Sequence, residues 1–257
     1  MELLNPDFDF GTFFKQLNGT EKRLLMLDYD GTLAPFRKER DKAFPYPGIR
    51  TCLEKIIQNG LNRVIIISGR SINDLVPLLG LENLPELWGS HGGERLTEKG
   101  TQTIIGINEK IPGILENISR ELRQQGWGEM TEYKPLGLAL HWRGMSRKEI
   151  DAMKDNFLEL FQKFSDKGIL CLHEFDGGLE LRPPGISKGD AVRKIIDESG
   201  NTEIFAYLGD DLTDEDAFRA IKIHGLAVLV RGEPRETSAD LWLRPPGELI
   251  EFLKHWF

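Results

Sequence analysis

Two aspartates, Asp28 and Asp30, follow directly after an apolar run in the stretch RLLMLDYDGTLAPF, which covers residues 23–36. Two carboxylates this close repel each other, and burying both is unfavourable unless a cation or a reaction needs them. The pair therefore indicates metal binding or carboxylate chemistry at this point of the chain. The alternative is a surface turn nucleated by the Asp-Gly dipeptide.

A hydroxyl group follows a second apolar run, in RVIIISGR. Ser68, Gly69 and Arg70 would place that hydroxyl and several backbone amides at the start of a helix, which suits a phosphate oxygen. A serine that only caps the helix would give the same pattern. This motif is therefore weak on its own.

The densest acidic cluster lies in YLGDDLTDEDAF, where five acidic residues occupy seven positions directly after an apolar run. Asp210 and Asp211 fall at the predicted strand end, and Asp214 could complete a shell of oxygen ligands for Mg²⁺. The alternative is a helix start at which the acids favour the helix dipole. We keep that alternative for Glu215 and Asp216.

Lys188, in GISKGDAV, opens a predicted helix, where a cation opposes the helix dipole. The position makes sense if the ammonium group reaches a phosphate and a carboxylate nucleophile. A solvated lysine is the simpler interpretation of the residue alone. Together with the other three clusters, we interpret Lys188 as a site residue.

The elements that position these clusters alternate along both ends of the chain. Uninterrupted apolar runs predict buried strands, and segments with i, i+3, i+4 spacing predict helices between them. The alternation predicts an α/β fold with a doubly wound parallel sheet, in which ligands gather at the carboxyl ends of the strands. The strand runs are RLLML, RVIIIS, EIFAYLG and LAVLV, and the helical segments are GIRTCLEKIIQ, SINDLVPLLG, SKGDAVRKIIDESG and TDEDAFRAIKIHG.

Residues 95–184 follow a different pattern, with two longer helical segments among strands such as GLALHWRG and GLELRPP. We predict an inserted α+β cap module there, within a catalytic core made of residues 23–94 and 185–257. Residues 1–22 are predicted to form a weakly packed arm. A module inserted between the serine and lysine clusters is placed to cover the site, exclude water and read the leaving group.

Polar side chains share single faces of the predicted cap strands, at a spacing of two residues. Carboxylates and cations together on a concave face suit a polyhydroxylated ligand, since a carboxylate accepts from two neighbouring sugar hydroxyls. The alternative is a solvated charged face. The pairs are Glu132 and Lys134, His141 and Arg143, and Glu180 and Arg182.

The composition limits the partners and the compartment. The 257 residues carry a formal net charge of −8, which argues against a sequence-independent nucleic-acid binder with a basic face. The two cysteines, Cys52 and Cys171, form neither a CxxC pair nor a disulfide framework. We see no signal peptide and no run near the ~18 apolar residues of a membrane span. We expect a cytoplasmic monomer that binds a small molecule, without nucleic-acid or membrane partners.

The ordered clusters Asp-x-Asp, Ser, Lys and Asp-Asp resemble the haloacid dehalogenase superfamily of aspartyl phosphatases. In the chemistry that this implies, Asp28 attacks phosphorus to give an aspartyl-phosphate, while Asp30 protonates the leaving oxygen and then activates water. Mg²⁺, Lys188 and Ser68 would neutralise or hydrogen-bond the equatorial phosphate oxygens, and Thr32 could add a hydroxyl contact. The implied metal ligands are Asp28, Asp30, Asp210, Asp211 and Asp214.

A narrower resemblance, to the trehalose-6-phosphate phosphatase family, covers essentially the whole chain. It rests on LDYDGTLAPF, ISGRS, GSHGGE, EYK…HWR, LELRPPGISKG and, most discriminating, GDDLTDEDAF. It implies hydrolysis of trehalose 6-phosphate, and the chain departs from the family at Ser90, where asparagine is usual. The residues that match the family's substrate-binding positions are Arg70, His91, Glu132, Lys134, Arg143 and Glu180.

Other functions stay open at this point. A phosphatase of another sugar phosphate or of a glycosyl-glycerate phosphate would combine the same chemistry with a different cap. A phosphomutase shares the opening motif but releases no net phosphate. A catalytically silent sugar-phosphate sensor needs no nucleophile, so the intact Asp28, Asp30, Lys188 and Asp210 argue against it.

Overall fold

The structure, a computed structural model, describes residues 1–37, 39–104, 108–142, 144–164, 168–175, 177–200 and 204–257. The chain divides into two compact units. Unit 1 comprises Met1–Thr103 and Ser187–Phe257, and unit 2 comprises Ile104–Ile186. Each unit has its own hydrophobic core.

Thirteen strands and eight α-helices lie within these described residues. The strands are β1 (Glu2–Leu3), β2 (Arg23–Leu27), β3 (Asn62–Ile67), β4 (Glu86–Gly89), β5 (Glu94–Leu96), β6 (Gln102–Ile104), β7 (Thr131–Lys134), β8 (Gly137–His141), β9 (Cys171–Phe175), β10 (Gly178–Arg182), β11 (Ile204–Gly209), β12 (Leu226–Val230) and β13 (Leu241–Leu243). The helices are α1 (Phe10–Gly19), α2 (Ile49–Gln58), α3 (Ile72–Leu79), α4 (Ile111–Gln124), α5 (Arg147–Phe164), α6 (Lys188–Glu198), α7 (Glu215–Ile221) and α8 (Gly247–Leu253). None of the described helices combines the length and the apolar character that crossing a membrane requires.

The large sheet of unit 1 runs in the order β1-β13-β12-β11-β2-β3-β4-β5-β6 across the described residues. Neighbouring strands from β13 to β4 are parallel, whereas β1 and β5 pair antiparallel at the two borders of this block. Every residue of β2, β11 and β12 is buried, as expected when helices cover both faces of a parallel sheet. The predicted doubly wound parallel sheet is confirmed.

The two faces of the large sheet contact different helices. Leu25 and Leu27 belong to a core cluster with residues of α1, α2, α3 and α8. On β11, the Tyr207 ring contacts the ring of Phe218 in α7, with centroids 5.8 Å apart. Residues 1–22, predicted to form a weakly packed arm, are attached to unit 1 by two elements. Strand β1 pairs with β13, and the Phe13 side chain of α1 is buried in the core.

Unit 2 contains a four-stranded antiparallel sheet in the order β7-β8-β10-β9. Its apolar side chains form a core with α4 and α5. This is the α+β architecture that the sequence predicts for the inserted module. The module was expected over 95–184, but β5 and β6 extend the edge of the large sheet, so the compact unit starts at Ile104.

Candidate active site

Asp28 lies at the carboxyl end of β2, where its backbone amide still donates to the carbonyl of Leu208 on β11 at 2.8 Å. The residue is 2% exposed. Its carboxylate accepts from Lys188 Nζ at Oδ1, at 2.5 Å, and from Thr32 Oγ1 at Oδ2, at 3.1 Å. Since 160 residues separate Asp28 from Lys188, the sheet topology creates this contact.

Lys188 begins α6, behind a Ser187 cap whose hydroxyl accepts from the amide of Asp190 at 3.0 Å. Its Nζ also lies 2.7 Å from Asp214 Oδ1, so one ammonium bridges two carboxylates. Burial alone would lower the pKa of Lys188, but the charges of Asp214 and Asp28 outweigh burial and raise that pKa above its ordinary value. Lys188 therefore remains positively charged although it is buried.

Asp214 accepts four hydrogen bonds from groups of the described chain. Lys188 Nζ and the Tyr207 hydroxyl donate to Oδ1. The amides of Asp210 and Asp211 donate to Oδ2, at 3.1 and 2.9 Å. A carboxylate has about four lone-pair positions, so these donors use its whole capacity. Asp214 holds Lys188 in place, a role that the sequence did not indicate.

A candidate metal centre lies beside this ion pair. Asp28, Asp210 and Asp214 have carboxylate oxygens that lie within 4.8 Å of one another. Because the four donors already use the lone pairs of Asp214, Asp28 and Asp210 are the members of this group that can bind a cation. Burial raises the pKa of Asp28 to about 7, against the effect of the Lys188 charge. Burial and the charges of Asp28 and Asp214 raise the pKa of Asp210 well above its ordinary value. An all-oxygen cluster with this excess of negative charge fits a hard divalent cation.

Gly31 allows the loop after β2 to pass close to Asp210. Its φ is +87°, in the left-handed region, and a Cβ added there would lie 2.1 Å from Asp210 Oδ2. Glycine adopts this backbone conformation readily and has no side chain to overlap the carboxylate. The glycine that follows Asp30 is thus required by the approach of two acidic loops.

The remaining two predicted metal ligands, Asp30 and Asp211, have other partners. Arg70 donates to both oxygens of Asp30, through Nε at 2.6 Å and Nη2 at 2.7 Å. Asp211 caps the 3₁₀ turn after β11 and accepts from the amide of Leu212 at 2.7 Å. Of the five predicted ligands, the structure therefore brings the carboxylate oxygens of three close together, namely those of Asp28, Asp210 and Asp214.

Ser68 is fully buried after β3, and its Oγ accepts from the amide of Arg70 at 3.1 Å. The cap of α3 is Ser71, whose Oγ accepts from the amide of Asp74 at 3.2 Å. The alternative in which Ser68 serves as the helix cap therefore does not apply. Ser68 lies at the carboxyl end of β3, which is parallel to β2 and pairs with it.

His91 packs against the loop that follows Ser68. Its amide donates to the Ser68 carbonyl at 2.9 Å, and a Cβ added to Gly69 would lie 2.8 Å from the His91 ring. Ser90 and His91 have φ values of +49° and +57°, which are uncommon for residues with side chains. The Ser90 hydroxyl donates to the buried Glu94 carboxylate, so a serine–glutamate hydrogen bond supports this turn.

Three predicted sugar-binding residues form a charged cluster in unit 2. Lys134 Nζ lies 2.7 Å from Glu180 Oε1 and 3.8 Å from Glu132 Oε2. His141 Nε2 lies 3.0 Å from the same Glu132 oxygen. Arg143, also predicted, lies outside the described residues. Because Lys134 and Glu180 are both buried, their mutual contact fixes the carboxylate before any ligand binds.

Two residues that contact the acidic loop were not predicted from the sequence. Tyr207 lies within an apolar strand run. The feature that could have indicated it is a side-chain hydroxyl three residues before Asp210. Arg235 donates to the carbonyl of Asp211 at 2.7 Å, and no local pattern distinguishes it from other arginines. Glu215, which we interpreted through the helix dipole alone, accepts from Arg235 Nη1 at 2.5 Å.

Known proteins resemble this chain over most of its length. The trehalose-phosphatase family model matches residues 26–243. The trehalose-phosphate phosphatase of Mycobacterium leprae is 30% identical over 248 residues, which cover 89% of this chain and 56% of that protein. The chain thus spans little more than half the length of that curated relative.

Solved structures share the fold. The C-terminal domain of C. albicans trehalose-6-phosphate phosphatase matches with a TM-score of 0.81 at 20% identity, over 100% of this chain and 99% of that chain. A trehalose-6-phosphate phosphatase from Aspergillus fumigatus matches with a TM-score of 0.70 at 25% identity, over 98% of both chains. The likeness therefore includes the inserted module as well as the large sheet.

Proposed function

The chain belongs to the trehalose-phosphatase family, and from this premise we propose that it hydrolyses trehalose 6-phosphate to trehalose and inorganic phosphate. The observation that carries the proposal is the buried contact of Lys188 with Asp28 at 2.5 Å, beside Asp210. A buried carboxylate next to a fixed ammonium and a cation site has what a nucleophile in phosphoryl transfer needs.

In the first step, an Asp28 carboxylate oxygen forms a bond to phosphorus, and the bond from phosphorus to the sugar oxygen breaks. Asp30 gives its proton to that leaving oxygen. In the second step, Asp30 takes a proton from water, whose oxygen attacks the aspartyl-phosphate. The Asp28–phosphate bond then breaks, which releases phosphate and restores the carboxylate.

Lys188, Ser68 and Thr32 are proposed to contact the phosphoryl oxygens during both steps. Asp214, itself held by its three other donors, keeps the Lys188 ammonium at the position where negative charge develops. We assign Mg²⁺ to the carboxylates of Asp28 and Asp210. When bound there, it supplies positive charge that offsets the charge of the transferring group.

Sugar recognition is proposed for the charged face of unit 2 and for two residues of unit 1. The carboxylates of Glu180 and Glu132 would accept hydrogen bonds from sugar hydroxyls, and Lys134 would donate. In unit 1, the members of the matched set are His91 and Arg70. Arg143 completes the set and lies outside the described residues. To be specific for trehalose 6-phosphate, the cap would have to discriminate against phosphates of other sugars.

The test is phosphate release from trehalose 6-phosphate, glucose 6-phosphate and a glycosyl-glycerate phosphate, with Mg²⁺ and with a chelator. It compares the wild type with Asp28→Asn, and circular dichroism checks that the variant is folded. We expect rapid, Mg²⁺-dependent turnover of trehalose 6-phosphate that the substitution abolishes. Preferential turnover of another phosphate would replace the substrate assignment, and full activity in Asp28→Asn would overturn the mechanism.

A further inference from the structure

Arg231 and Arg235 contact the backbone of the acidic loop, residues 210–214, rather than the carboxylates of that loop. Arg235 donates through Nη2 to the carbonyl of Asp211 at 2.7 Å and through Nε to the carbonyl of Asp210 at 3.3 Å. Arg231 Nη1 donates to the same Asp210 carbonyl at 3.2 Å. Two guanidinium groups therefore hold two consecutive peptide groups of this loop.

Glu215 fixes the position of Arg235. Its Oε1 accepts from Arg235 Nη1 at 2.5 Å and from Thr237 Oγ1 at 2.7 Å. Its Oε2 accepts from the amide of Ser238 at 2.8 Å. The side chains of Arg235 and Glu215 are 15% and 13% exposed, so solvent weakens this ion pair less than it would an exposed one.

One peptide group links this ion pair to the catalytic carboxylates. The carbonyl of Asp210 accepts hydrogen bonds from Arg231 and Arg235. The N–H of the same peptide group belongs to Asp211 and donates to Asp214 Oδ2 at 2.9 Å. Hydrogen bonds at both ends of a peptide group strengthen each other. The chain of contacts then continues through Asp214 to Lys188 and Asp28.

We infer that Arg235 and Glu215 are positioning residues that keep the loop of Asp210, Asp211 and Asp214 in the conformation that binds the divalent cation. The inference rests on the cation site of the proposed function. Glu215 thus has a structural task that sets it apart from its neighbour Asp216. Asp216 forms an exposed pair with Arg219, with side chains 49% and 58% exposed.

The test measures the Mg²⁺ dissociation constant by calorimetry without substrate, on the full chain. The variants are Glu215→Gln and Arg235→Lys, and the matched control is Asp216→Asn, which removes the same charge one residue away. We expect about tenfold weaker Mg²⁺ binding in both variants, as is typical for groups that orient metal ligands. The control should stay close to wild type, and thermal unfolding reports whether each protein is folded.

Equal weakening in Glu215→Gln and Asp216→Asn would overturn the inference, because net charge would then explain the effect. Unchanged Mg²⁺ affinity in Arg235→Lys would also overturn it. That variant keeps the positive charge and still decides the question if Glu215→Gln does not fold. Failure of the proposed function is seen separately, as wild-type protein that binds Mg²⁺ but does not hydrolyse trehalose 6-phosphate.

Discussion

Arg70 and Asp30 form a bidentate ion pair, in which Arg70 Nε and Nη2 donate to the two carboxylate oxygens of Asp30 at 2.6 and 2.7 Å. Both oxygens of the Asp30 carboxylate therefore accept a charge-assisted hydrogen bond from Arg70. To donate a proton to the leaving oxygen, Asp30 must release at least one of its bonds to Arg70. The proposed acid role therefore requires that substrate binding loosens this ion pair.

The proposed role of Asp30 predicts a dependence on the leaving group. In Asp30→Asn, turnover of trehalose 6-phosphate should fall by about 10²–10⁴-fold, because a sugar alkoxide needs protonation as it leaves. Hydrolysis of p-nitrophenyl phosphate should fall far less in the first step, since its phenolate leaves without a proton. Single-turnover kinetics with both substrates measure this step. Equal losses with both substrates would remove Asp30 from the acid role.

The raised pKa of Asp28 predicts the pH dependence of the metal-free protein. The pKa is about 7 in the folded chain, mainly through burial, against an ordinary value of 3.8. The folded state then binds the Asp28 proton more tightly than the unfolded state does. The stability that this proton contributes is fully present below about pH 4 and is lost as the pH rises through about 7. With a chelator, the free energy of unfolding should drop by a few kcal/mol over this window.

Thermal unfolding at several pH values, with chelator or Mg²⁺, checks this dependence. Mg²⁺ should stabilise the protein more at about pH 8 than at about pH 5, because it binds the ionised carboxylates. Asp28→Asn removes one titrating group, so its metal-free stability should change less with pH. An identical pH profile in wild type and Asp28→Asn would contradict the assigned pKa shift.

Gly31→Ala should disrupt the metal centre through a steric overlap. The added Cβ would lie 2.1 Å from Asp210 Oδ2, so the Asp210 carboxylate must move from the position it has in the metal centre. We expect Mg²⁺ affinity and turnover to fall at least tenfold. The control is Gly100→Ala, where φ is +79° and an added Cβ meets nothing within 4 Å.

Both alanine variants carry a backbone penalty of roughly 1–2 kcal/mol in the left-handed region. Only Gly31→Ala adds the displacement of Asp210. Calorimetric titration with Mg²⁺ separates the two effects from each other. If both variants bound Mg²⁺ like the wild type, the close approach of the two loops would not matter for the site.

Glu180→Gln should weaken sugar recognition without changing phosphoryl transfer. The variant loses the charged acceptor that Lys134 holds at 2.7 Å, and hydrogen bonds to charged groups contribute about 1.5–3 kcal/mol. We expect KM for trehalose 6-phosphate to rise about tenfold or more, with unchanged hydrolysis of p-nitrophenyl phosphate. Steady-state kinetics with both substrates give the answer.

The matched control for Glu180→Gln is Glu174→Gln on the neighbouring strand, where the side chain is 61% exposed and pairs with Lys154. It should behave like the wild type. A rise in KM for both substrates in Glu180→Gln would indicate a general disturbance. A wild-type KM for trehalose 6-phosphate would exclude Glu180 from sugar recognition.

Much of the fold and the set of candidate residues could be predicted from the sequence because the signals are local. Uninterrupted apolar runs identified strands such as β2 and β11, and acidic clusters directly after them identified Asp28 and Asp210. In a parallel sheet, strand ends share one edge. The sequence by itself therefore determined that Asp28, Lys188 and Asp210, from distant segments, would come close together. The helical and strand patterns of the middle segment determined an inserted α+β module.

Only the tertiary structure decided how these groups are paired. The contacts of Arg70 with Asp30, Tyr207 with Asp214, and Arg235 with the acidic loop depend on strand order, register and loop packing. Local patterns do not encode them, so five aspartates looked alike as metal ligands in the sequence. The structure divided them by their partners: Asp30 pairs with arginine, Asp211 caps a turn, and Asp214 holds the lysine. Burial of Asp28, Asp210 and Lys188 among one another's charges shifts their pKa values, and that burial exists only in the folded chain.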